Sequence, residues 1–267
     1  MDQTEARLWL IEQLKKENPL YRKVAVPADE AKQKDLLRSL MNVRDPKPVS
    51  AAFRAVHDAY LRREAFIRGI VSIDSLEPCR LDERLYLWQG DITRLAADAI
   101  VNAANFTLLG CYIPLHNCID NCIHSAAGVE LRNSCSEIIR KQGHDEPEGR
   151  AQITPGFCLP AKYVLHTVGP SVDSELTDEH RRLLRSCYVA CLDLAAENGL
   201  GNLAFCCIST GVFSFPAEEA AETAVKTVRE WLDSHDSSIN KVIFNVFGDR
   251  DRRIYEEILD RDPEERS

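Results

Sequence analysis

The chain has 267 residues, of which 45% are hydrophobic and 28% charged, and a formal net charge of −9. That length allows one large domain or two modest ones, with enough apolar material for a core of normal size. The acidic balance argues against gripping a nucleic-acid backbone as the main task, and no apolar run approaches the ~20 residues needed to span a bilayer. The first twenty residues are interrupted by charges and lack an apolar signal core, so a cytoplasmic protein is expected, with no membrane partner. Charge is uneven: residues 1–70 hold 14 Lys/Arg against 10 Asp/Glu, the remainder 19 against 32. Ten cysteines in a chain this long without an export signal are not expected to form a disulfide framework. Several, as in Phe205-Cys-Cys-Ile208, read as small buried hydrophobes.

Taken in order, residues 1–16 predict an amphipathic helix with Leu8, Leu10, Ile11 and Leu14 near one face. Ala28 to Val43 predicts a second, with Leu36, Leu37, Leu40 and Met41 as its stripe, broken by Asp45-Pro-Lys-Pro. Ser50 caps a third helix carrying Phe53, Val56, Tyr60, Leu61 and Phe66 at helical spacing. His57 and Arg62-Arg63 read as surface or helix-face residues. Strands are expected at Arg84–Gln89, Asp98–Asn102, Ile153–Cys158, Tyr163–Val168, Leu203–Ser209 and Lys241–Phe247. Helices are expected from about Asp120 to Lys141, from Leu176 to Asn198 ended by Gly199, from Pro216 to Asp233, and from Arg250 to Leu259. Alternating strands and helices predict an α/β body with a mixed, largely parallel sheet over residues 73–267, preceded by an all-helical extension over residues 1–72.

Three stretches carry candidate chemistry. Gly90-Asp-Ile-Thr93 ends the first well-defined strand, where open α/β sheets place ligands; Asp91 can accept an exocyclic amine while a neighbouring backbone amide addresses the ring, or it can simply cap a turn. Asn102 and Asn105 follow a buried strand; both can bond ribose hydroxyls, although local turn bonding is plausible for Asn102. Ser209, Thr210, Gly211, Val212, Phe213, Ser214 and Phe215 lie between a buried strand and a helix N-terminus, where backbone N–H groups suit a diphosphate without basic side chains. Phe213 and Phe215 can wall a sugar or base, or belong to the core.

In this order the motifs closely resemble a macrodomain, the ADP-ribose-binding module, over about residues 75–262. The resemblance implies a three-layer α/β/α macrodomain sandwich with a mixed central sheet. It implies that Asp91 and the Ile92 backbone hold adenine, that Asn102 and Asn105 line the distal ribose, and that Ser209 to Phe215 wrap the diphosphate. Ser214 stands where related proteins often have glycine, a departure that bears on the backbone geometry of that loop.

Many macrodomains have a glycine-rich loop where this chain reads Gly110-Cys-Tyr-Ile-Pro-Leu-His-Asn-Cys-Ile-Asp-Asn121. Cys111, His116 and Cys118 form C-x4-H-x-C; two thiolates and an imidazole suit one Zn²⁺ per chain and leave a fourth position open. Cys122 and His124 are rival ligands, placed inside the predicted helix. With this loop and the helical extension, the chain resembles the zinc-containing macrodomain subgroup of bacterial and fungal type. That resemblance implies a hydrolase that removes mono-ADP-ribose from modified protein, with a link to a sirtuin-type ADP-ribosyltransferase. Asp120 is expected to position or activate water, unless it only caps the helix, and Asn105 to hold the distal ribose. A carboxylate ester is the expected linkage. The rivals are a non-catalytic reader with structural zinc and an O-acetyl-ADP-ribose deacetylase.

Overall fold

A computed structural model describes residues 1–261; the predicted body, 73–267, thus ends in residues 262–267, which lie outside the described residues. The first three helices are α1 (Gln3–Glu17), α2 (Glu30–Asn42) and α3 (Ala51–Arg68). Each begins at a side-chain cap: Asp2, Asp29 and Ser50 accept the N–H groups of Glu5, Lys32 and Phe53. Their stripes meet in a small core of Leu10, Ile11, Leu14, Leu37, Leu40, Met41, Phe53 and Tyr60. Val129 of the body completes that core, so the extension and body share buried surface. Two expectations for α3 change. Phe66 points outward and is 64% exposed, whereas His57 is buried beneath the helix.

The body contains β1 (Val71–Ser72), β2 (Pro78–Cys79), β3 (Asp82–Gln89), β4 (Leu95–Ala96), β5 (Ala99–Ala103), α4 (Ile119–Ala127), α5 (Val129–Gln142), β6 (Ala151–Pro155), β7 (Tyr163–Thr167), α6 (Asp178–Glu197), β8 (Asn202–Phe205), α7 (Ala217–Ser234), β9 (Lys241–Val246) and α8 (Asp249–Leu259). Seven strands form one sheet in the order β2-β3-β9-β8-β5-β7-β6; the five inner strands run parallel and the two edges antiparallel. β1 and β4 make a separate parallel pair that fixes the junction of extension and body. The inner strands are apolar on both faces, with Leu85, Ile100, Val101, Val164, Leu165, Leu203, Ile243 and Phe244 essentially inaccessible, as expected where helices cover both sides. The helices α6, α7 and α8 pack side by side, while α4 and α5 pack together and receive α2 and α3. No described helix is long and apolar enough to cross a membrane.

The single helix expected from Asp120 to Lys141 is two. Gly128 breaks it at φ +92°, where a side chain is strained, and a Cβ there would run into Cε1 of His57. Periodicity alone misses this break because Ala127 and Leu131 stay inward on both sides of it. Strand β8 stops at Phe205, before the predicted Ser209, and Pro216 stands one residue ahead of α7 as its N-cap. These ends bring the β3, β5 and β8 C-termini, and their loops, to one edge of the parallel sheet.

Candidate functional site

Asp91 serves the turn and faces outward at once. Its Oδ1 accepts the Thr93 N–H at 3.0 Å and the Thr93 hydroxyl at 2.7 Å; Oδ2 is reached by Nη1 of Arg68 at 3.2 Å. One carboxylate oxygen therefore caps the short helix at Ile92–Arg94 while the other stands at the surface between body and extension. The Ile92 side chain is buried and anchors the turn. Phe247, which the sequence reading missed, follows β9, is 79% exposed and comes directly after Val246, whose carbonyl takes the Gly90 N–H. An exposed aromatic at the end of a buried strand, just before a helix, is a signal by which the sequence could have flagged it as a candidate ligand contact.

Asn102 departs from its expected place. It is 0% exposed and lies beneath the site, opposite His166 in the β5–β7 register. Its Nδ2 donates to Asp120 Oδ1 at 2.9 Å and to His166 Nδ1 at 3.2 Å and so orients Asp120, while its Oδ1 is buried without a hydrogen-bond partner. Burial pushes His166 down to about 3. The ring is thus neutral; with Nδ1 accepting, Nε2–H is left for the Thr154 hydroxyl at 2.9 Å. Asn105 stays at the rim: its Nδ2 reaches Gly110 O at 3.2 Å and Asp120 Oδ2 at 3.4 Å, and its Oδ1 closes a turn with Thr107.

Asp120, buried in the first turn of α4, thereby has each carboxylate oxygen facing a different asparagine amide. It is not the helix cap. Cys118 fills that position, its Sγ accepting the Asn121 N–H. Burial pushes the Asp120 carboxyl up to about 6, against the hydrogen bond from Asn102. His124 Nε2 lies 3.5 Å away, but burial and neighbouring His166 hold that imidazole far below its ordinary value, so no ion pair forms.

Cys111, His116 and Cys118 converge. Their ligand atoms all lie within 4.8 Å of one another, with Cys111 Sγ 3.6 Å from His116 Nδ1, and all three side chains are half-buried. Burial pushes the Cys118 thiol up to about 12, with Cys111 adding to the shift, so a thiolate here needs a cation. The donor set fits Zn²⁺. Two other groups of potential ligands occur among the described residues, His124/Cys135/His166 and His57/Asp58/Cys158. In the first, His166 is committed to Asn102 and Thr154; in the second, Asp58 Oδ1 takes both His57 and Cys158. Cys122 turns its sulfur toward Arg38 instead of the triad.

The loop from Ser209 to Phe215 is tightly wound. Phe215 N–H bonds Ser209 O and Ser214 N–H bonds Gly211 O. Ser209 is buried, Thr210 bonds back to Cys207 O, and Val212 is exposed. Phe215 packs into the core, whereas Phe213 is half-buried at the loop. Ser214 adopts φ +56°, a conformation that favours glycine. Ser214→Gly is expected to relieve about 0.5–1 kcal/mol of strain, net of glycine's greater unfolded-state entropy, and to raise the melting temperature by roughly 1–3 °C. A thermal melt in which the variant unfolds lower than the parent would show that the serine hydroxyl matters more than its backbone.

Known proteins bear directly on this arrangement. The Macro domain family model matches residues 101–224. The chain is 52% identical over 261 residues to a protein-ADP-ribose hydrolase of Treponema medium, covering 97% of this chain and 100% of that one. It is 46% identical over 262 residues to a protein-ADP-ribose hydrolase of Staphylococcus aureus (strain MRSA252), covering 97% of each. Among solved structures it is similar to a Trypanosoma brucei macrodomain in complex with ADP-ribose, at 30% identity and TM-score 0.65, covering 82% of this chain and 94% of that one. It is also similar to a mutant of the Oceanobacillus iheyensis macrodomain with ADPR, at 38% identity and TM-score 0.59, covering 65% and 90%.

Proposed function

Since the chain belongs to the macrodomain family, we propose that it is a hydrolase that releases ADP-ribose from mono-ADP-ribosylated protein, with an ester-linked carboxylate side chain as acceptor. The observation that carries this is Asp120: a buried carboxylate held from both sides by asparagines, at the sheet edge that also bears Asp91 and the Ser209–Phe215 loop. Near full-length similarity to protein-ADP-ribose hydrolases supports the same activity.

Asp91 Oδ2 and the Ile92 backbone receive the adenine, beside Phe247; the loop from Ser209 to Phe213 takes the diphosphate through its amides; and Asn105 borders the distal ribose. Asp120 orients a water toward the anomeric carbon. As the water oxygen bonds that carbon, its proton passes to Asp120 and the acceptor carboxylate leaves with the electrons of the broken C–O bond. Holding both reactants in place supplies much of the rate. Cys111, His116 and Cys118 would hold one Zn²⁺, whose chemistry when bound is Lewis-acid polarisation of an oxygen. A sirtuin-type ADP-ribosyltransferase as functional partner belongs to the same proposal, because it would supply the modified protein.

ADP-ribose release from a mono-ADP-ribosylated protein, with zinc assayed on the same sample before and after chelation, tests the reading. Release that tracks about one zinc per chain, lost on chelation and recovered on adding zinc back, is expected. ADP-ribose binding without release from any acceptor would instead make the protein a reader.

A further inference from the structure

The loop that carries the metal-ligand triad runs from β5 to α4 without strand or helix of its own, yet it holds one conformation that includes Leu115 at φ +59°. A loop this long, with a non-glycine residue in the left-handed region, keeps its shape only where neighbours over-determine it. The neighbours are on the N-terminal extension. Arg38 and Asn42 stand one turn apart on α2, so their side chains share a face. Arg38 Nη2 donates to the backbone carbonyl of His116 at 2.8 Å, and to Asn121 Oδ1 at 2.8 Å. Asn42 Oδ1 accepts the N–H of Leu115 at 3.0 Å, while its Nδ2 donates to Ser125 at 2.9 Å. Asn121 is fully buried, and its Nδ2 donates to Cys111 O at 3.2 Å and Ile113 O at 2.9 Å. The backbones of Cys111 and His116 are thus tied, one through Asn121 and one directly, to a single arginine more than seventy residues earlier.

We propose that the helical extension is the positioning element of the metal loop, with Arg38 and Asn42 setting the geometry at which Cys111, His116 and Cys118 take a zinc ion. This rests on the reading of those three residues as metal ligands. Neither α2 side chain touches the ligand atoms of the triad; both act through its backbone, in the way that partners behind a metal site fix the ligands in front. The extension then serves the site itself, which gives a physical reason for an extension that shares buried surface with the body.

The test measures Zn²⁺ affinity by chelator competition, and the absorption spectrum of the Co²⁺-loaded protein, for the full chain and its Arg38→Ala, Asn42→Ala and Arg38→Gln variants. Affinity is expected to fall by about 10- to 100-fold in the alanine variants, with a shift of the cobalt bands that reports altered ligand geometry. Arg38→Gln, which keeps one donor in a shorter side chain, covers the case in which Arg38→Ala does not fold. Arg7→Met is the control: Arg7 is buried in the extension and bonds Gln33 and Glu30, not the loop or its two braces, so the change destabilises the extension while leaving the bonds of Arg38 and Asn42 in place. It is expected to leave Zn²⁺ affinity within about twofold. Unchanged affinity and spectra in the Arg38 and Asn42 variants would overturn the brace while leaving the metal site standing. An equal loss in Arg7→Met would overturn it too, by assigning the effect to the stability of the extension as a whole. A parent chain that binds neither metal would remove the metal reading and the brace together.

Discussion

Asp120→Asn is expected to lower ADP-ribose release by about 10²- to 10⁴-fold while ADP-ribose binding stays within a few-fold of the parent. The change keeps the side chain's size and removes its charge and its capacity to take a proton. The structure says what else it does. Asn102 and Asn105 each aim an amide N–H at a different oxygen of Asp120. An amide in place of the carboxylate can face oxygen to only one of them, and the shorter bond, to Asn102 at 2.9 Å, is the one expected to survive. Asn105 then meets an N–H group and turns toward its other partner, Gly110 O. The distal ribose loses a border as well as a base, so the rate falls in the chemical step more than in binding. Single-turnover release and ADP-ribose titration, measured on one preparation, separate the two. A rate within fivefold of the parent would take Asp120 out of the chemistry and leave positioning to carry the reaction.

How far the site was legible in the sequence depends on the distance over which each part is determined. The Asp91 turn, the C-x4-H-x-C triad and the Ser209–Phe215 loop are local: their residues lie within a few positions of one another, and the structure brings each group together as its spacing predicts. The helix caps at Ser50 and Asp29 are local in the same sense. Direction is not local. Asn102 lies within a buried strand, but whether its amide points to solvent or inward depends on His166, sixty-four residues on. Likewise the Phe66 position fits the apolar stripe of α3, yet it is His57 that is covered, against Phe53 and the Gly128 break, and Phe66 that is exposed. Phe215 looks like Phe213 in sequence, yet one lies in the core and the other at the loop, with Ser214 in the left-handed conformation between them. The brace from α2 was illegible for the strongest reason: its acceptors include backbone carbonyls, which every residue has.

Arg132 poses the same problem with greater energetic consequence. It looks like an ordinary charged position on α5, but it is buried and its guanidinium closes the junction of three segments. Nη1 donates to the carbonyls of Met41, Asn42 and Arg44 at 3.1, 2.8 and 2.6 Å, and so caps the C-terminal end of α2. Nε donates to Leu109 O at 2.6 Å, within the metal loop two residues before Cys111, and the guanidinium lies 4.2 Å from the centroid of Tyr112. Burial pulls the guanidinium below the ordinary arginine range, against the favourable effect of Tyr112, Asp120 and Asp45, while the carbonyl dipoles and the Tyr112 ring face meet the positive charge directly. Arg132→Met fills a similar volume and removes every one of these bonds. Four carbonyls are left without this donor; the expected loss is about 3–5 kcal/mol, seen as a drop of roughly 10 °C in melting temperature. The loss has a direction as well as a size. With the α2 end unlatched, the chain between α2 and α3 is expected to be cut by protease at concentrations that leave the parent whole, and the Asn42 bond to Leu115 loosens with it. A stability change under about 1 kcal/mol would mean that methionine packing replaces what the guanidinium holds, as happens where a buried charge is retained for specificity and not for stability.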